Sequence, residues 1–273
     1  MPRGLVDEVC SALSVSLPGD REGIAALFRS WCARVPFDPV AKALAMVEGR
    51  TPPGDDPVEV AERWLQTGLG STCWGHVTVL GGILEAAGVR VAAGVDRMLR
   101  DDIVDFHSFL VVHDGEDALL LDPIHPSGDP LPLVAGALGN HPDYEVRLDD
   151  IEGRLVHWCA PRHDDARVSR YVVLSTTMDR ADVRAFCAVS AVHSGVGRRF
   201  FQRRIPTDAF VTARPTEDGT ALAITTWREG RTDVVTMDDV DEALAIVGYQ
   251  PSARGWLVRA GLLSDGAAAA WKV

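Results

Sequence analysis

A chain of 273 residues that is 47% hydrophobic and 24% charged can bury a sizeable core, as one large domain or as two or three small ones packed together. Its formal charge of −12 argues against broad binding to nucleic acid or an anionic membrane, because phosphate contacts need a net basic face. Apolar stretches are broken by Gly, Arg or Asp well before about 18 residues, and "MPRGLVDEVC" lacks the basic-then-apolar order of a signal peptide, so the expected location is cytoplasmic, with no membrane partner.

The first third reads as helices. "DREGIAALFRSWCARV" sets Ile24, Leu27, Phe28, Trp31 and Val35 at helical spacing behind a capping Asp20. "DDPVEVAERWLQTG" offers Asp56 as cap, Pro57 in the first turn and Gly68 as stop. A third helix is expected from about Cys73, through Val77, Leu80 and Leu84, to a stop at Gly88. Beyond it the texture changes to short β-type runs, "VRVAAGV", "FHSFLVV", "ALLLD", "RLVHW" and "RYVVLSTT", separated by turn clusters, which points to a small antiparallel sheet or barrel. A helix, "ADVRAFCAVSAVHSG", follows, then the strands "FVTARPT", "GTALAITTW" and "TDVVTM". The capped helix "DDVDEALAIVG" and an apolar tail with Trp256 and Leu257 come last. There is no internal repeat and no low-complexity linker.

Five cysteines, Cys10, Cys32, Cys73, Cys159 and Cys187, are scattered, odd in number and free of any CxxC. Neither a disulfide framework nor a zinc knuckle is expected, while a reactive thiol is allowed. A cysteine nucleophile needs a base to take its proton, and the base needs a third group to fix its tautomer. Cys73 falls at a predicted helix start, where backbone N–H groups and the helix dipole favour a thiolate. His107, in "DFHSFLVV", shares a strand face with Phe109 and Val111 by alternation. Asp122 ends "ALLLD", a run able to pair with the His107 strand across "HDGED" and to bring the two side chains together. Cys73, His107 and Asp122 are therefore the candidate catalytic residues.

Other residues carry weaker signals. "GRRFFQRR" gathers Arg198, Arg199, Arg203 and Arg204, either as a solvated edge or as a grip on an anionic donor such as a CoA phosphate or a carrier protein's phosphopantetheine. His76 lies within reach of Cys73 on a helix and reads as an ordinary helix residue, since a base normally comes from another element. His163 with Asp164 and Asp165 reads as a solvated loop, and no metal site is expected.

The runs "STCWGHVTVLGGILEAAGVRVAAGV", "FHSFLVV" and "LLLDPIHP" resemble the core of the transglutaminase-like cysteine superfamily. Within it the chain most resembles the arylamine N-acetyltransferases. "VPFDP" is similar to that family's "PFEN" segment, and "FVTARPTEDGTALAITTWREG" with "MDDVDEALAIVGYQ" is similar to its lid. The resemblance implies an α+β fold in three parts: a helical bundle over 1–88 carrying the nucleophile, an antiparallel β-barrel over 89–180 carrying His107 and Asp122, and an interdomain helix with an α/β lid over 181–273. It implies acyl transfer in two steps, from acetyl-CoA or another acyl thioester to Cys73 and on to a small-molecule amine, with no tightly bound cofactor. Phe37, Trp74 and His125 are the candidates for the acyl or amine pocket.

The chain departs from the family at three places. Leu69, Gly70, Ser71 and Thr72 stand where Arg-Gly-Gly usually precedes the nucleophile, Asp38 and Pro39 replace Glu-Asn, and "DPIHP" replaces "DVGFG". The usual Glu and Arg support each other, so that support is expected to be lost or rebuilt and the pocket to change shape. An amide synthase acting on a thioester-bound intermediate, with an acyl carrier protein as partner, a thioester hydrolase and a non-catalytic thioester-binding relative stay open as alternatives.

Overall fold

The computed structural model describes residues 1–50, 53–54, 56–99, 106–125, 127–162, 168–193, 202–204, 209–216 and 218–264. Eight helices and eleven strands lie among them. Helix α1 (Arg3–Leu13) buries Val6, Val9, Cys10 and Leu13, one helical stripe. Asp20 caps α2 (Arg21–Arg34) by accepting the Gly23 N–H at 2.8 Å, and Ile24, Leu27, Phe28 and Trp31 face inward as their spacing predicts. After α3 (Val40–Val47), helix α4 (Pro57–Thr67) starts on the Asp56 cap with Pro57 in its first turn and stops at Gly68, whose φ is +73°. Helix α5 (Cys73–Ala86) is buried on nearly every side. It is the central helix, wrapped by α1, α2, α4 and the sheet in one core.

Seven strands follow: β1 (Val91–Met98), β2 (Phe106–Asp114), β3 (Asp117–Leu121), β4 (Leu131–Pro132), β5 (Tyr144–Ile151), β6 (Arg154–Pro161) and β7 (Ser169–Met178). They pair antiparallel in the order β4-β3-β2-β1-β7-β6-β5. The expected barrel thus takes the form of a curled half-barrel. One face of β1 to β3, with Val95, Leu110, Val112, Leu119 and Leu121, packs on the helices. The other carries Phe109, Val111, Leu120, Tyr144, Val146 and Tyr171. Alternation along β2 thereby sends His107 to the second face, with Phe109 and Val111.

Helix α6 (Arg180–His193) leads to a smaller sheet of β8 (Gln202–Arg204), β9 (Phe210–Pro215), β10 (Leu222–Arg228) and β11 (Arg231–Met237), in the order β11-β10-β9-β8. Phe210 and Trp227 of this sheet stack toward Tyr144 and cover the second face of the half-barrel. The Asp143 carboxylate ties the β10–β11 turn down by accepting the N–H groups of Glu229 and Gly230 at 3.2 Å each. Helix α7 (Val240–Ile246) is capped by Asp239, and the apolar tail forms α8 (Ala253–Arg259), which buries Leu257 beside Val40 and Leu44 of α3. No helix among the described residues is long and apolar enough to cross a membrane.

Candidate active site

Cys73 is the first residue of α5, buried and unpaired with any other cysteine. Its position is set by the preceding turn, which three neighbours hold. The Asp38 carboxylate accepts the Gly70 N–H at 2.6 Å, and the Arg63 guanidinium donates to the Gly70 carbonyl at 3.1 Å. The Ser71 carbonyl accepts the Asp38 N–H at 3.1 Å, and Ser71 bridges Phe37 in parallel. Both polar atoms of the Gly70 peptide are thus held by buried charges. Asp38 faces Arg63, which sits on α4 rather than just before the nucleophile. Asp38 and Arg63 thus grip Gly70 from opposite sides, each from outside the turn. Glycine is required at Gly70 because a Cβ there would occupy the place of the Pro36 carbonyl oxygen.

His76, one turn into α5, is a structural knot. Its Nδ1 accepts the Trp31 indole N–H at 2.8 Å, which fixes the proton on Nε2, and Nε2 is shared between the carbonyls of Pro36 and Ser71 at 3.1 Å each. Burial holds its pKa down to about 4. The ring is therefore neutral and joins α2 to the turn before Cys73.

His107 and Asp122 meet. His107 Nε2 donates to Asp122 Oδ2 at 2.8 Å, with both groups buried. The β2–β3 register pairs Leu110 with Leu121, so Asp122 lies diagonally across from His107 rather than opposite it. Asp122 Oδ1 accepts the N–H groups of Ile124 and His125 at 2.9 and 3.1 Å. Burial alone would raise the Asp122 carboxyl, but His107, with His125 and His157 behind it, drives it well below the usual carboxylate range. Burial likewise opposes charge on His107, and the carboxylates of Asp122 and Asp96 overcome it, lifting the ring well above its ordinary value. The Cys73 thiol, within hydrogen-bonding reach of the ring, adds to the lift.

These two histidines give stability opposite pH slopes. Below about pH 6.5 the unfolded chain protonates His76 while the folded one excludes the proton until about pH 4, so stability falls on acidification. Above about 6.5 the folded chain retains a proton on His107 that the unfolded chain releases, so stability falls toward alkaline pH until His107 too deprotonates. We expect maximal stability near pH 6.5, with His76 responsible for a loss on the order of 3 kcal/mol between about 6.5 and 4. Urea melts of wild type and His76→Gln across pH check this: the variant should be less stable at neutral pH and show a flatter acidic limb.

The proposed pocket residues lie as follows. Trp74 is buried and stacks on Phe186 of α6 at 6.3 Å, and Phe186 meets Phe106 edge-on at 5.1 Å. Trp74 and Phe106 are the chain neighbours of Cys73 and His107. Phe186 and Phe106 were not singled out from sequence, because an aromatic at helix or strand spacing looks like core. Phe37 is buried and stacks on His76. His125 is buried, with Nδ1 2.6 Å from the Tyr144 hydroxyl and Nε2 3.3 Å from that of Tyr171, so its ring packs into the half-barrel. Arg203 and Arg204 fall on β8. Arg198 and Arg199 lie outside the described residues, as do His163, Asp164 and Asp165.

His107, Asp122 and His125 place one donor atom each within 4.8 Å of one another. Those atoms are already engaged, His107 with Asp122 and His125 with the two tyrosines, so no metal ligand set is assigned. A carboxylate and an imidazole also missed from sequence, Asp96 of β1 and His157 of β6, are fully buried beside the pair.

No family model matches the sequence, and no curated protein is matched by sequence. Solved structures do match in fold. The arylamine N-acetyltransferase of Mycobacterium tuberculosis superposes with a TM-score of 0.72 at 20% identity, covering 92% of this chain and 97% of that one. That of Mycobacterium marinum in complex with CoA gives 0.76 at 18% identity, covering 94% and 99%. That of Salmonella typhimurium gives 0.75 at 17%, covering 96% and 100%. The chain has the arylamine N-acetyltransferase fold over nearly its whole length.

Proposed function

We propose that this protein is a cysteine acyltransferase that moves an acetyl or other acyl group from a CoA thioester to an amine through an acyl-Cys73 intermediate. The observation that carries the reading is the buried His107–Asp122 hydrogen bond beside Cys73 at the start of α5, in a fold shared with enzymes of that activity. With Nε2 committed to Asp122, Nδ1 of His107 is the nitrogen left to take the thiol proton.

The Cys73 thiolate attacks the thioester carbonyl carbon, the carbon–sulfur bond to CoA breaks, and the departing thiolate takes the proton held by His107. The amine then attacks the acyl-cysteine and gives a proton to His107, and the amide leaves as the Cys73 thiolate is restored. Asp122 keeps the ring oriented and its cation stabilised. Backbone N–H groups at the start of α5 suit the tetrahedral oxyanion. The wall of Trp74, Phe106 and Phe186 suits a flat aromatic amine, and Arg203 and Arg204, with Arg198 and Arg199, suit the donor's phosphates. The CoA complex of the Mycobacterium marinum enzyme supports CoA as the carrier here.

The test is intact-protein mass spectrometry after brief exposure to acetyl-CoA and longer acyl thioesters. We expect one acyl adduct on wild type and none on Cys73→Ala. Preference for a long or carrier-bound acyl group would favour an amide synthase. Failure of every donor to leave an adduct or to be consumed would overturn the acyl-transfer reading.

A further inference from the structure

Asp96 stands directly opposite His107 in the β1–β2 register, on the strand flanking β2 on the side away from Asp122. His107 therefore lies between two buried carboxylates, one contributed from each neighbouring strand. His157 joins them from β6: its Nδ1 is 3.3 Å from Asp96 Oδ2 and 3.9 Å from Asp122 Oδ2, with all three side chains fully buried. Asp96 Oδ1 and His157 Nε2 have no hydrogen-bond partner among the described residues. Each side chain is thus committed to the other. A buried carboxylate with a single partner is costly to keep, and nothing in the packing of β1 asks for one.

We propose that Asp96 and His157 form a second carboxylate–imidazole pair, set behind the first, that keeps His107 cationic beside Cys73. This rests on the acyltransfer reading and names two positioning residues for it. The groups facing His107 are Cys73 of α5, Asp96 of β1, Asp122 after β3, His125 of the following turn, His157 of β6 and Tyr171 of β7. Of these, Asp96 and Asp122 are the two carboxylates that favour charge on the ring. Losing Asp96 removes one of the two carboxylates that stabilise the imidazolium. Burial raises the Asp96 carboxyl, and the charge of His107 and the hydrogen bond from His157 work against that rise, so that we expect Asp96 to stay ionised in a dry site.

The test uses the whole protein carrying ¹³C- and ¹⁵N-labelled histidine and aspartate. In wild type we expect the Asp96 carboxyl carbon to report an ionised group at neutral pH; a protonated Asp96 overturns the proposal without any variant. In Asp96→Asn and in His157→Gln the pH midpoint of the His107 ring should fall by about one unit, with about a tenfold slower alkylation of Cys73 at neutral pH. Asp96→Glu should restore much of both. An unchanged His107 midpoint in either folded variant overturns it, because a purely structural role would lower stability and leave that titration alone. Absence of an acyl adduct with the His107 shift intact would sink the acyltransfer reading and leave this electrostatic arrangement standing. An adduct without the shift would do the reverse.

Discussion

Asp122→Asn should lower the turnover of acyl transfer by about 10³- to 10⁴-fold, or about 4 to 5.5 kcal/mol of barrier, while leaving the fold intact. The reason lies in how the carboxylate is shared. Oδ1 accepts two backbone N–H groups, from Ile124 and His125, and Oδ2 accepts the proton of His107 Nε2. An asparagine can meet the two backbone donors only with its amide oxygen, which turns its NH₂ toward His107. Nε2 must then become the acceptor and the ring proton moves to Nδ1. The nitrogen toward Cys73 then presents an N–H and cannot take the thiol proton. Steady-state kinetics with the preferred donor, together with the rate of Cys73 alkylation, checks the expectation. An alkylation rate equal to wild type would show that His107 does not activate Cys73.

Gly70→Ala should destabilise the protein by about 3 kcal/mol or more and silence Cys73 in whatever fraction folds. The added methyl would fall on the Pro36 carbonyl, which is backbone and is itself held by His76, so neither side can yield without moving the turn. Movement of that turn breaks the Asp38 and Arg63 contacts to the Gly70 peptide at once. Arg63→Met separates the two effects. It adds no bulk, yet removes the buried donor to the Gly70 carbonyl and a positive charge near Asp38, a loss of about 1 to 3 kcal/mol. Urea unfolding and thiol labelling on both variants check this. A Gly70→Ala protein as stable as wild type would mean that the turn before α5 is not held as described.

Local signals made much of this legible before any coordinates. Asp20, Asp56, Pro57 and Gly68 mark helix ends by chemistry that acts within a few residues, and alternation in "FHSFLVV" put His107 on the correct face. Cys73, His107 and Asp122 could be linked because each sits at the start, inside or end of one element, and a hairpin joins the last two. Asp96, His157, Arg63 and Phe186 were not legible for one shared reason. Each depends on a tertiary contact that no local pattern announces, Asp96 and His157 through a β1–β7–β6 pairing that skips most of the intervening chain. An acid within a strand pattern gives no sign of whether it faces solvent or another strand's histidine. Helix α8 was hidden because its apolar residues are too few to show a period.

The end of α4 has a further consequence. The Gln250 N–H donates to the Thr67 carbonyl at 2.9 Å, the Ser252 hydroxyl donates to that of Gln66 at 3.0 Å, and a Cβ on Gly68 would come within 2.5 Å of the Gly248 carbonyl. Tyr249 from the same stretch rests beside Asp38. The turn that aims Cys73 is therefore finished by residues made about 175 positions after it. A ribosome adding roughly 5 to 20 residues each second would take about 10 to 35 seconds to cover that distance. For that interval the nascent chain lacks the brace on the turn before Cys73, which is completed only late in synthesis.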